Sequence, residues 1–417
     1  MLIIYRFLIN LVLILSPIII IYRLFKKKED IKRFKEKFCF FTKKKVKGRL
    51  IWFHGASVGE LQSIVPILEI LEKEKKIKQI LITSNTLSSS KIIQKFNSKK
   101  IVHQFFPIDT FYLSKKFLNY WNPSSAFFID SEIWPNMLDH LNHKNIPTAL
   151  INGRITKKTY VRWKNFPIFS KKIFNKFNLC LSCSNESKSY LIKLGAKKVK
   201  SLGNLKFAQS ENEKIKVDDK LKRFILSKRS WCASSTHPNE ETICGSVHKK
   251  LKKKYPNLLT IIIPRHIDRS RSIDDELKKL NLKTQIVNGH NKIDKNAEIL
   301  IIESYGQTKS FYSICKNVFL GGSLINHGGQ NPLEATRFGC NIMHGPYISN
   351  FKEIFKMLKS KNMSIQINNE KNMTKILNNF FQKKTNFKKK QAELNRIGKK
   401  TAINFYKEIC SLANNEI

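Results

Sequence analysis

The chain has 417 residues, which is long enough for two domains of ordinary size, each with its own core. Hydrophobic residues make up 41% and aromatic residues 11% of it, so the composition excludes an intrinsically disordered protein. The formal net charge is +46, from 77 Lys and Arg against 31 Asp and Glu. This charge indicates an acidic partner, either nucleic acid, an anionic membrane or a phosphorylated substrate, unless it reflects a general lysine bias.

The first 49 residues are predicted to be a membrane anchor with a basic flank. Phe7–Tyr22 is uncharged and mostly apolar, slightly short of the about 20 residues that span a bilayer, and Leu2–Tyr5 extends it past Arg6, whose side chain can snorkel. Arg23–Arg49 then carries 13 Lys or Arg and three acids. The positive-inside rule places this flank, and the body, on the cytoplasmic face of the inner membrane. The sequence leaves open whether the anchor spans the membrane or lies in it.

From Leu50 onward, short apolar runs alternate with helical patterns, which predicts parallel sheets covered on both faces. The first series of strands is predicted at Leu50–His54, Gln79–Thr83, Ile101–Phe106, Ala126–Ile129 and Thr148–Ile151. The helices between them are predicted at Val58–Lys75, Ser88–Phe96, Thr110–Tyr120 and Trp134–Leu141. A second series of strands is predicted at Trp231–Ala233, Leu258–Pro264, Glu298–Glu303, Asn317–Leu320 and Asn341–His344.

The two series predict an α/β protein of two Rossmann-like domains that face a cleft. The first domain is assigned to residues 50–209 and the second to 221–417, with the polar segment Ser210–Lys220 as the best linker. The last predicted helix, Asn386–Leu412, could cross back to the first domain. Ligands of such folds bind at the carboxyl ends of strands, so functional residues are expected in the segments that follow the strands.

The eight cysteines form no recognisable metal or disulfide pattern. Cys180 and Cys183 are close in sequence, but both fall in the apolar run Leu179–Cys183, which is typical of a strand. No second Cys or His pair completes a zinc site, so no metal or other cofactor is predicted. Buried thiols in a reducing compartment are the simpler explanation.

Acidic residues follow two of the predicted strands. In His54–Glu60, Ser57 suits an N-cap and Glu60 suits N3 of a capping box. Either that box fully explains Glu60, or its carboxylate is also a general base that takes a proton from an attacking hydroxyl. In Asp130–Asn136, Asp130 and Glu132 either favour a positive helix end or stabilise positive charge on a sugar ring.

Two cations also follow strand-like runs, Lys206 in Gly203–Lys206 and Arg265 in Pro264–His266. A cation at such a point can hold a phosphate, Arg265 through a bidentate fork and Lys206 as a point charge. The competing interpretation is a solvated surface cation, because Lys and Arg are common throughout this chain.

The strongest local pattern is a glycine-rich loop, Gly321–Ser323 followed by His327–Glu334. Its glycines let backbone N–H groups approach an anion, and a helix is predicted to open with Asn331 as N-cap, Pro332 at N1 and Glu334 at N3. Glu334 could also accept hydrogen bonds from ribose hydroxyls. The loop lacks the ending of a P-loop and the spacing of G-x-G-x-x-G. We therefore expect a ligand site of another kind.

Together, these segments resemble the Kdo (3-deoxy-D-manno-octulosonic acid) transferase family of Gram-negative lipopolysaccharide synthesis. The resemblance includes Asn152-Gly-Arg154 and runs in order through nearly the whole chain. It implies a GT-B fold with an acceptor-binding first domain and a donor-binding second domain. It also implies inverting transfer of Kdo from CMP-Kdo to the lipid A precursor (lipid IVA) without a catalytic metal.

The resemblance also implies residue roles. Glu60 would be the proton acceptor, Asp130 and Glu132 would stabilise the transition state, and Lys206 would lie near the donor. The residues implied to bind CMP-Kdo are Pro264, Arg265, Gly306, Gln307, Thr308, Gly321, Gly322, Ser323, Asn331, Pro332, Leu333 and Glu334.

Some positions depart from the family pattern. Gln330 precedes Asn331 where the family usually has His, Glu303–Gln307 replaces a more acidic segment, and Asp130 stands where Glu is usual. None of these changes removes a proposed catalytic group, but each alters a detail of the site.

Two other functions remain open on the sequence alone. One is a GT-B transferase that uses a UDP-sugar donor and another lipid acceptor. The other is a membrane-tethered nucleic-acid-binding protein, suggested by the charge of +46. The second leaves the glycine-rich loop and the acidic strand ends unexplained, and no RNP, zinc-finger or basic-zipper pattern accompanies it.

Overall fold

The computed structural model describes residues 1–94, 96, 98–209, 218–288, 293–383 and 385–414. The chain forms two compact units, one from Met1–Gln209 with Ile397–Ile417 and the other from Ser210–Arg396. The predicted second domain runs to residue 417, whereas the chain from Ile397 onward packs with the first unit. Of the predicted linker, residues 210–217 lie outside the described residues, and the rest leads directly into a helix.

The first unit is built around a parallel sheet of seven strands among the described residues, in the order β3-β2-β1-β4-β5-β6-β7. The strands are β1 (Leu50–His54), β2 (Gln79–Ser84), β3 (Ile101–Phe105), β4 (Ser125–Ile129), β5 (Thr148–Gly153), β6 (Leu179–Ser182) and β7 (Val199–Ser201). The helices are α1 (Leu2–Phe25), α2 (Val58–Leu71), α3 (Leu87–Gln94), α4 (Phe111–Trp121), α5 (Pro135–His143), α6 (Lys157–Lys164), α7 (Pro167–Phe174) and α8 (Asn185–Lys193).

The second unit has a parallel sheet in the order β10-β11-β9-β8-β12-β13-β14. Its strands are β8 (Arg229–Thr236), β9 (Leu258–Pro264), β10 (Thr284–Val287), β11 (Ile299–Ile302), β12 (Asn317–Leu320), β13 (Asn341–His344) and β14 (Ser364–Gln366). Its helices are α9 (Asp219–Leu226), α10 (Glu240–Lys252), α11 (Ser270–Lys278), α12 (Thr308–Ile314), α13 (Leu333–Arg337), α14 (Lys352–Ser360) and α15 (Glu370–Gln382). Helix α16 (Phe387–Asn414) begins in this unit, and its residues from Ile397 belong to the first.

Each sheet reverses its strand order beside its first strand, and this is where doubly wound folds bind ligands. In the first unit β1 pairs with β2 on one side and β4 on the other. In the second unit β8 lies between β9 and β12. The segments after β1 and β4 therefore meet at the carboxyl-terminal ends of the strands of the first sheet. Those after β8, β9 and β12 meet at the carboxyl-terminal ends of the strands of the second sheet.

The apolar runs predicted the central strands well, because these strands are covered on both faces. The bounds of β1, β9, β12 and β13 match the prediction, and all four strands are fully buried. Strands β7, β10 and β14 were missed. They are three or four residues long and lie at sheet edges, where partial exposure removes the apolar pattern.

The predicted basic flank is folded against the first unit. Glu36 is fully buried in a short 3₁₀ helix, where it binds the Arg33 guanidinium with both oxygens and accepts a hydrogen bond from the Phe105 amide at 2.8 Å. Buried Glu29 likewise binds Arg23 and Lys37, each at 2.6 Å. Two of the flank's three acids therefore hold this segment in place, and part of its positive charge is neutralised internally.

Candidate functional site

Glu60 lies in the first turn of α2, directly after β1, and forms the predicted capping box. Ser57 is the N-cap, and its hydroxyl oxygen accepts a hydrogen bond from the Glu60 amide at 3.4 Å. The Glu60 carboxylate accepts hydrogen bonds from the Ala56 amide at 2.7 Å and from the Ser57 hydroxyl at 2.9 Å. The predicted capping box is thus present, and it fixes the carboxylate where β1 and β4 end. Whether Glu60 also acts as a base stays a prediction.

Three carboxyl groups gather where β1 and β4 end. The pKa of Glu60 is raised to about 7, mainly by burial and also by the negative charges of Glu132 and Asp130, while the hydrogen bonds from Ser57 and Ala56 act in the opposite direction. A carboxyl group with a pKa near neutral can accept and release a proton at physiological pH.

Asp130 is held by partners from two other segments. It is buried and has a positive φ of 56°, a backbone conformation that residues other than glycine rarely adopt. Asn152 at the end of β5 donates to one carboxylate oxygen, and the Lys206 ammonium lies 2.9 Å from the other. Asn152 Oδ1 in turn accepts a hydrogen bond from the Leu205 amide at 2.8 Å, so it orients both members of the ion pair.

Glu132 accepts a hydrogen bond from the Trp134 indole at 2.9 Å, and its Oε2 lies 3.2 Å from His54 Nε2. The fully buried His54 ring stacks on Phe106, and its Nδ1 lies 2.9 Å from Thr83 Oγ1. A His54 tautomer protonated at Nε2 satisfies both contacts. Sequence reasoning assigned no role to His54 or Asn152, although both stand in the motifs that it singled out.

The ion pair of Lys206 with Asp130 leads to a stability prediction. Lys206→Met is expected to lower the free energy of unfolding by about 3 kcal/mol, because it leaves a buried carboxylate without its cation. Urea-induced unfolding measures the change. The matched control is Lys200→Met, which breaks the more exposed pair with Glu408 and should cost less than about 1 kcal/mol. Equal losses in the two variants would contradict the prediction.

The glycine-rich loop of the second unit already surrounds an anion of the protein itself. The carboxylate of Glu240, fully buried at the start of α10, accepts hydrogen bonds from the amides of His237, Ser323 and Leu324 at 3.0 Å and of Gly322 at 2.7 Å. Burial raises the pKa of Glu240, and these four hydrogen bonds oppose that shift. The Gly322 and Ser323 amides are therefore already hydrogen-bonded within the protein, and whether these residues contact a donor stays a prediction.

Gly321 is required for a different reason than the one predicted. Its amide donates to the Ser234 carbonyl at 2.8 Å. A Cβ atom there would lie 2.5 Å from the Ser235 carbonyl oxygen and 2.6 Å from the Thr236 Cα, so no side chain fits between β12 and β8. The glycine lets two backbone segments approach each other, and its amide is not available to a ligand.

The helix after the loop also starts later than predicted. Helix α13 begins at Leu333, and Pro332 occupies the N-cap position expected for Asn331. The Asn331 side chain accepts a hydrogen bond from the Leu333 amide at 3.1 Å, a local turn just before the helix. Asn331 is exposed and Glu334 is half-buried, so both lie at the surface of the second unit.

Histidines that sequence reasoning did not select lie beside this loop. The His237 ring, after β8, is 4.1 Å from the ring of His327 and 6.1 Å from that of His266, measured between centroids. Burial lowers the pKa of His237 to about 4, and the nearby His327, His266 and Arg265 act in the same direction. Arg265 itself is exposed at the end of β9. This part of the second unit is suited to binding a negatively charged ligand.

The remaining residues predicted to bind the donor lie at the end of a strand of the second sheet or in the segment that follows a strand. Pro264 is the last residue of β9, the strand next to β8. Gly306, with a φ of +77°, and Gln307 lie beyond β11, the next strand outward, and Thr308 opens α12. Whether these residues contact a donor stays a prediction. Within the part of the chain that the structure describes, no three His, Cys, Asp or Glu side chains gather in a way that could hold a metal ion.

Comparisons with known proteins identify the family of this chain. Residues 32–209 match the family described as 3-deoxy-D-manno-octulosonic-acid transferase (kdotransferase). The 3-deoxy-D-manno-octulosonic acid transferase of Rickettsia bellii is 33% identical over 377 residues, 89% of this chain and 89% of its own. The enzyme of the same name from Haemophilus influenzae is 29% identical over 322 residues, 76% of this chain and 75% of its own.

Among solved structures, the UDP-GlcNAc 2-epimerase of Neisseria meningitidis bound to UDP-GlcNAc superimposes with a TM-score of 0.59 at 14% identity, covering 88% of this chain and 100% of its own. The class is therefore a two-domain α/β protein of parallel sheets with GT-B-like structural neighbours. Within that class, the chain belongs to the 3-deoxy-D-manno-octulosonic acid transferase family and is a glycosyltransferase.

Proposed function

We propose that the protein transfers Kdo from CMP-Kdo to a hydroxyl group of the lipid A precursor in lipopolysaccharide biosynthesis. Membership of the family supports the reaction class. The observation that carries the mechanism is Glu60, a fixed carboxylate whose pKa is raised to about 7 beside two further acids. The acceptor hydroxyl loses its proton to Glu60 while its oxygen bonds to the anomeric carbon of Kdo. The bond from that carbon to the CMP phosphate oxygen breaks, so CMP leaves and the configuration inverts.

The other side chains at this site in the first unit are proposed to stabilise the charges that develop during the reaction. Positive charge develops on the sugar ring as the leaving group departs, and the carboxylates of Asp130 and Glu132 stabilise it. Lys206 and Asn152 hold Asp130, while Trp134 and His54 hold Glu132, so neither acid has to reorient during the reaction. Lys206 also supplies a positive charge for the departing phosphate.

The second unit is proposed to bind the donor through side chains. Arg265 and His266 are exposed after β9, and His327 and Asn331 are exposed on the glycine-rich loop. A guanidinium and neighbouring imidazoles match the phosphate of CMP and the carboxylate of Kdo. Because the amides of Gly321–Leu324 are bonded within the protein, the recognition of both anions is assigned to these side chains.

The protein is further proposed to work on the cytoplasmic face of the inner membrane. Helix α1 is long and apolar enough to enter a bilayer, with a mean hydropathy of 2.3. Lys26–Lys28 follow it directly and match the anionic headgroups of the cytoplasmic leaflet. A membrane position brings the protein to an acceptor whose acyl chains remain in the lipid.

The test is transfer by the purified full chain from enzymatically generated CMP-Kdo to a tetraacylated lipid A precursor, followed by mass spectrometry. A product heavier by one or more Kdo units is expected, and its mass counts the sugars added. CMP should inhibit the reaction at concentrations where UDP does not. Absence of product with folded protein, or inhibition by UDP instead of CMP, would overturn the assignment of donor and acceptor.

A further inference from the structure

One stripe of helix α1 faces the protein from one end of the helix to the other. The side chains that are buried or half-buried recur every three or four positions, the spacing of a single helix face. They are Leu2, Tyr5, Arg6, Ile9, Leu13, Ser16, Ile20, Arg23 and Leu24. A helix that left the body to cross a bilayer alone would carry no such continuous stripe.

The amino-terminal end of α1 is held by polar contacts with the first unit. The Tyr5 hydroxyl donates to the buried Asp109 carboxylate at 2.7 Å. The Arg6 guanidinium donates to Asn136 Oδ1 at 3.0 Å and to Asp139 Oδ2 at 2.8 Å, and it lies 4.4 Å from the centre of the Phe111 ring. Arg6 is therefore paired with the body, whereas the sequence suggested that its side chain reaches toward a membrane surface.

The middle and the carboxyl-terminal end of α1 are held as well. Leu13 packs against the core beneath α4 and α5, and Ser16 and Ile20 are only 4% and 6% exposed. Beyond them, Arg23 binds the buried Glu29 at 2.6 Å, and Glu29 also binds Lys37 of the folded flank. The helix is thus attached to the same unit at its start, middle and end.

These contacts decide how α1 can lie in a membrane. Tyr5 and Arg23 are separated by about 27 Å along the helix axis, at about 1.5 Å per residue, which is close to the hydrocarbon thickness of a bilayer. If α1 crossed the bilayer, Tyr5 with its partner Asp109, and Arg6 with its partner Asp139, would lie near the opposite surface from Arg23. A folded α/β unit with polar loops cannot extend through the hydrocarbon region in that way.

The opposite face of α1 is apolar and open. Ile3, Ile14, Ile18 and Phe25 are 80%, 71%, 69% and 83% exposed, and other apolar side chains lie between them. Lys26–Lys28 follow at the end of this face. An apolar helix face bordered by lysines matches the acyl and headgroup regions of one anionic leaflet.

We infer that α1 lies in the plane of one leaflet, with one stripe docked along the first unit and the other face inserted among acyl chains, and that it does not cross the membrane. The proposed membrane attachment is a premise of this inference, and the transferase activity is not.

Spin labels at three exposed positions test the inference. Ile3→Cys, Ile14→Cys and Ile21→Cys are made singly in the full chain with Cys410→Ser, because the other seven cysteines are buried. The labelled proteins are reconstituted in vesicles of phosphatidylethanolamine and phosphatidylglycerol, and relative collision rates with oxygen and a nickel chelate give the depth of each label. We expect the three depths to agree within a few Å. A crossing helix would place position 14 deeper than both ends, by roughly 10 Å, and that result would overturn the inference, as would failure to bind the vesicles.

Two further variants separate docking from insertion. Tyr5→Phe combined with Arg6→Gln removes the polar contacts of the amino-terminal end, so the depth of the Ile3→Cys label should change while that of the Ile21→Cys label does not. A separate experiment uses cells that express the chain with a cysteine on a short extension before Met1. This cysteine should react with an impermeant maleimide in inside-out vesicles of the inner membrane but not in intact spheroplasts. Reaction in intact spheroplasts would show that the amino terminus has crossed the membrane. None of these measurements depends on Kdo transfer, so a failure here is distinguishable from a failure of the proposed function.

Discussion

Glu60→Gln is expected to lower the rate of Kdo transfer by roughly 10² to 10⁴-fold, the usual contribution of a general base. The amide oxygen of Gln can still accept from the Ala56 backbone, so the start of α2 should persist. The effect should therefore fall on kcat and leave CMP binding unchanged. Glu69→Gln, on the exposed side of the same helix, is the matched control and should be as active as the wild type. A Glu60→Gln variant with the wild-type rate would move the base elsewhere.

The pH dependence gives the same assignment a second readout. A base with a pKa of about 7 is charged only above that pH, so the transfer rate should rise through pH 7 and then level off. Glu132→Gln removes one of the negative charges that raise this pKa, so the rise should move to lower pH. An unchanged rise in Glu132→Gln would show that another group is titrating.

Stability should depend on pH through the same carboxyl group. The folded state raises the pKa of Glu60 above its ordinary value, so it favours the neutral form. The resulting stabilisation is fully present below the ordinary pKa and is lost as pH rises through about 7. Relative to Glu60→Gln, the wild type should therefore lose unfolding free energy between pH 5 and pH 8, which urea titrations at the two pH values measure.

Glu240→Ala is expected to have the largest effect on the second unit, lowering the free energy of unfolding by about 4 kcal/mol. Four backbone amides lose their acceptor, and each buried amide left unpaired costs about 1–3 kcal/mol before the loop relaxes. Glu240→Gln keeps one oxygen as an acceptor and should fall between the wild type and Glu240→Ala. Urea unfolding and CMP binding are measured together, because a loop that loses its shape should also bind the donor more weakly. Equal stability of Glu240→Ala and the wild type would contradict the role assigned to this carboxylate.

The sequence predicted those features that depend only on residues close together in the chain. The capping box of Ser57 and Glu60 needs only four consecutive residues, and the buried strands needed only their apolar runs. The pairing of Lys206 with Asp130 needed the tertiary fold. The end of β5 lies beside the end of β4, and Asn152 at that end binds both Asp130 and the amide of Leu205, the neighbour of Lys206. The spacing of apolar residues in the sequence does not reveal which segments become neighbours in the fold.

For the same reason, the sequence could not predict that the glycine-rich loop surrounds the Glu240 carboxylate. Glu240 is about 80 positions before Gly322, and its own surroundings suggest only an acid in the first turn of a helix. The glycines correctly indicated amides that surround an anion, but nothing local could tell that the anion belongs to the protein. The later start of α13 follows from the turn that Asn331 makes with Leu333.

The Glu240 carboxylate also has a consequence for the thermodynamics of ligand association. Fixing a backbone residue costs about 1–2 kcal/mol of conformational entropy, and in Gly322–Leu324 that loss is incurred when the chain folds. Under the proposed function, a donor therefore meets a surface that is already ordered, and its association should show little of the unfavourable entropy that accompanies the ordering of a flexible loop. We expect selectivity between donors to change through single side-chain replacements at the proposed contacts Arg265 and Asn331, while the backbone of Gly322–Leu324 keeps its shape.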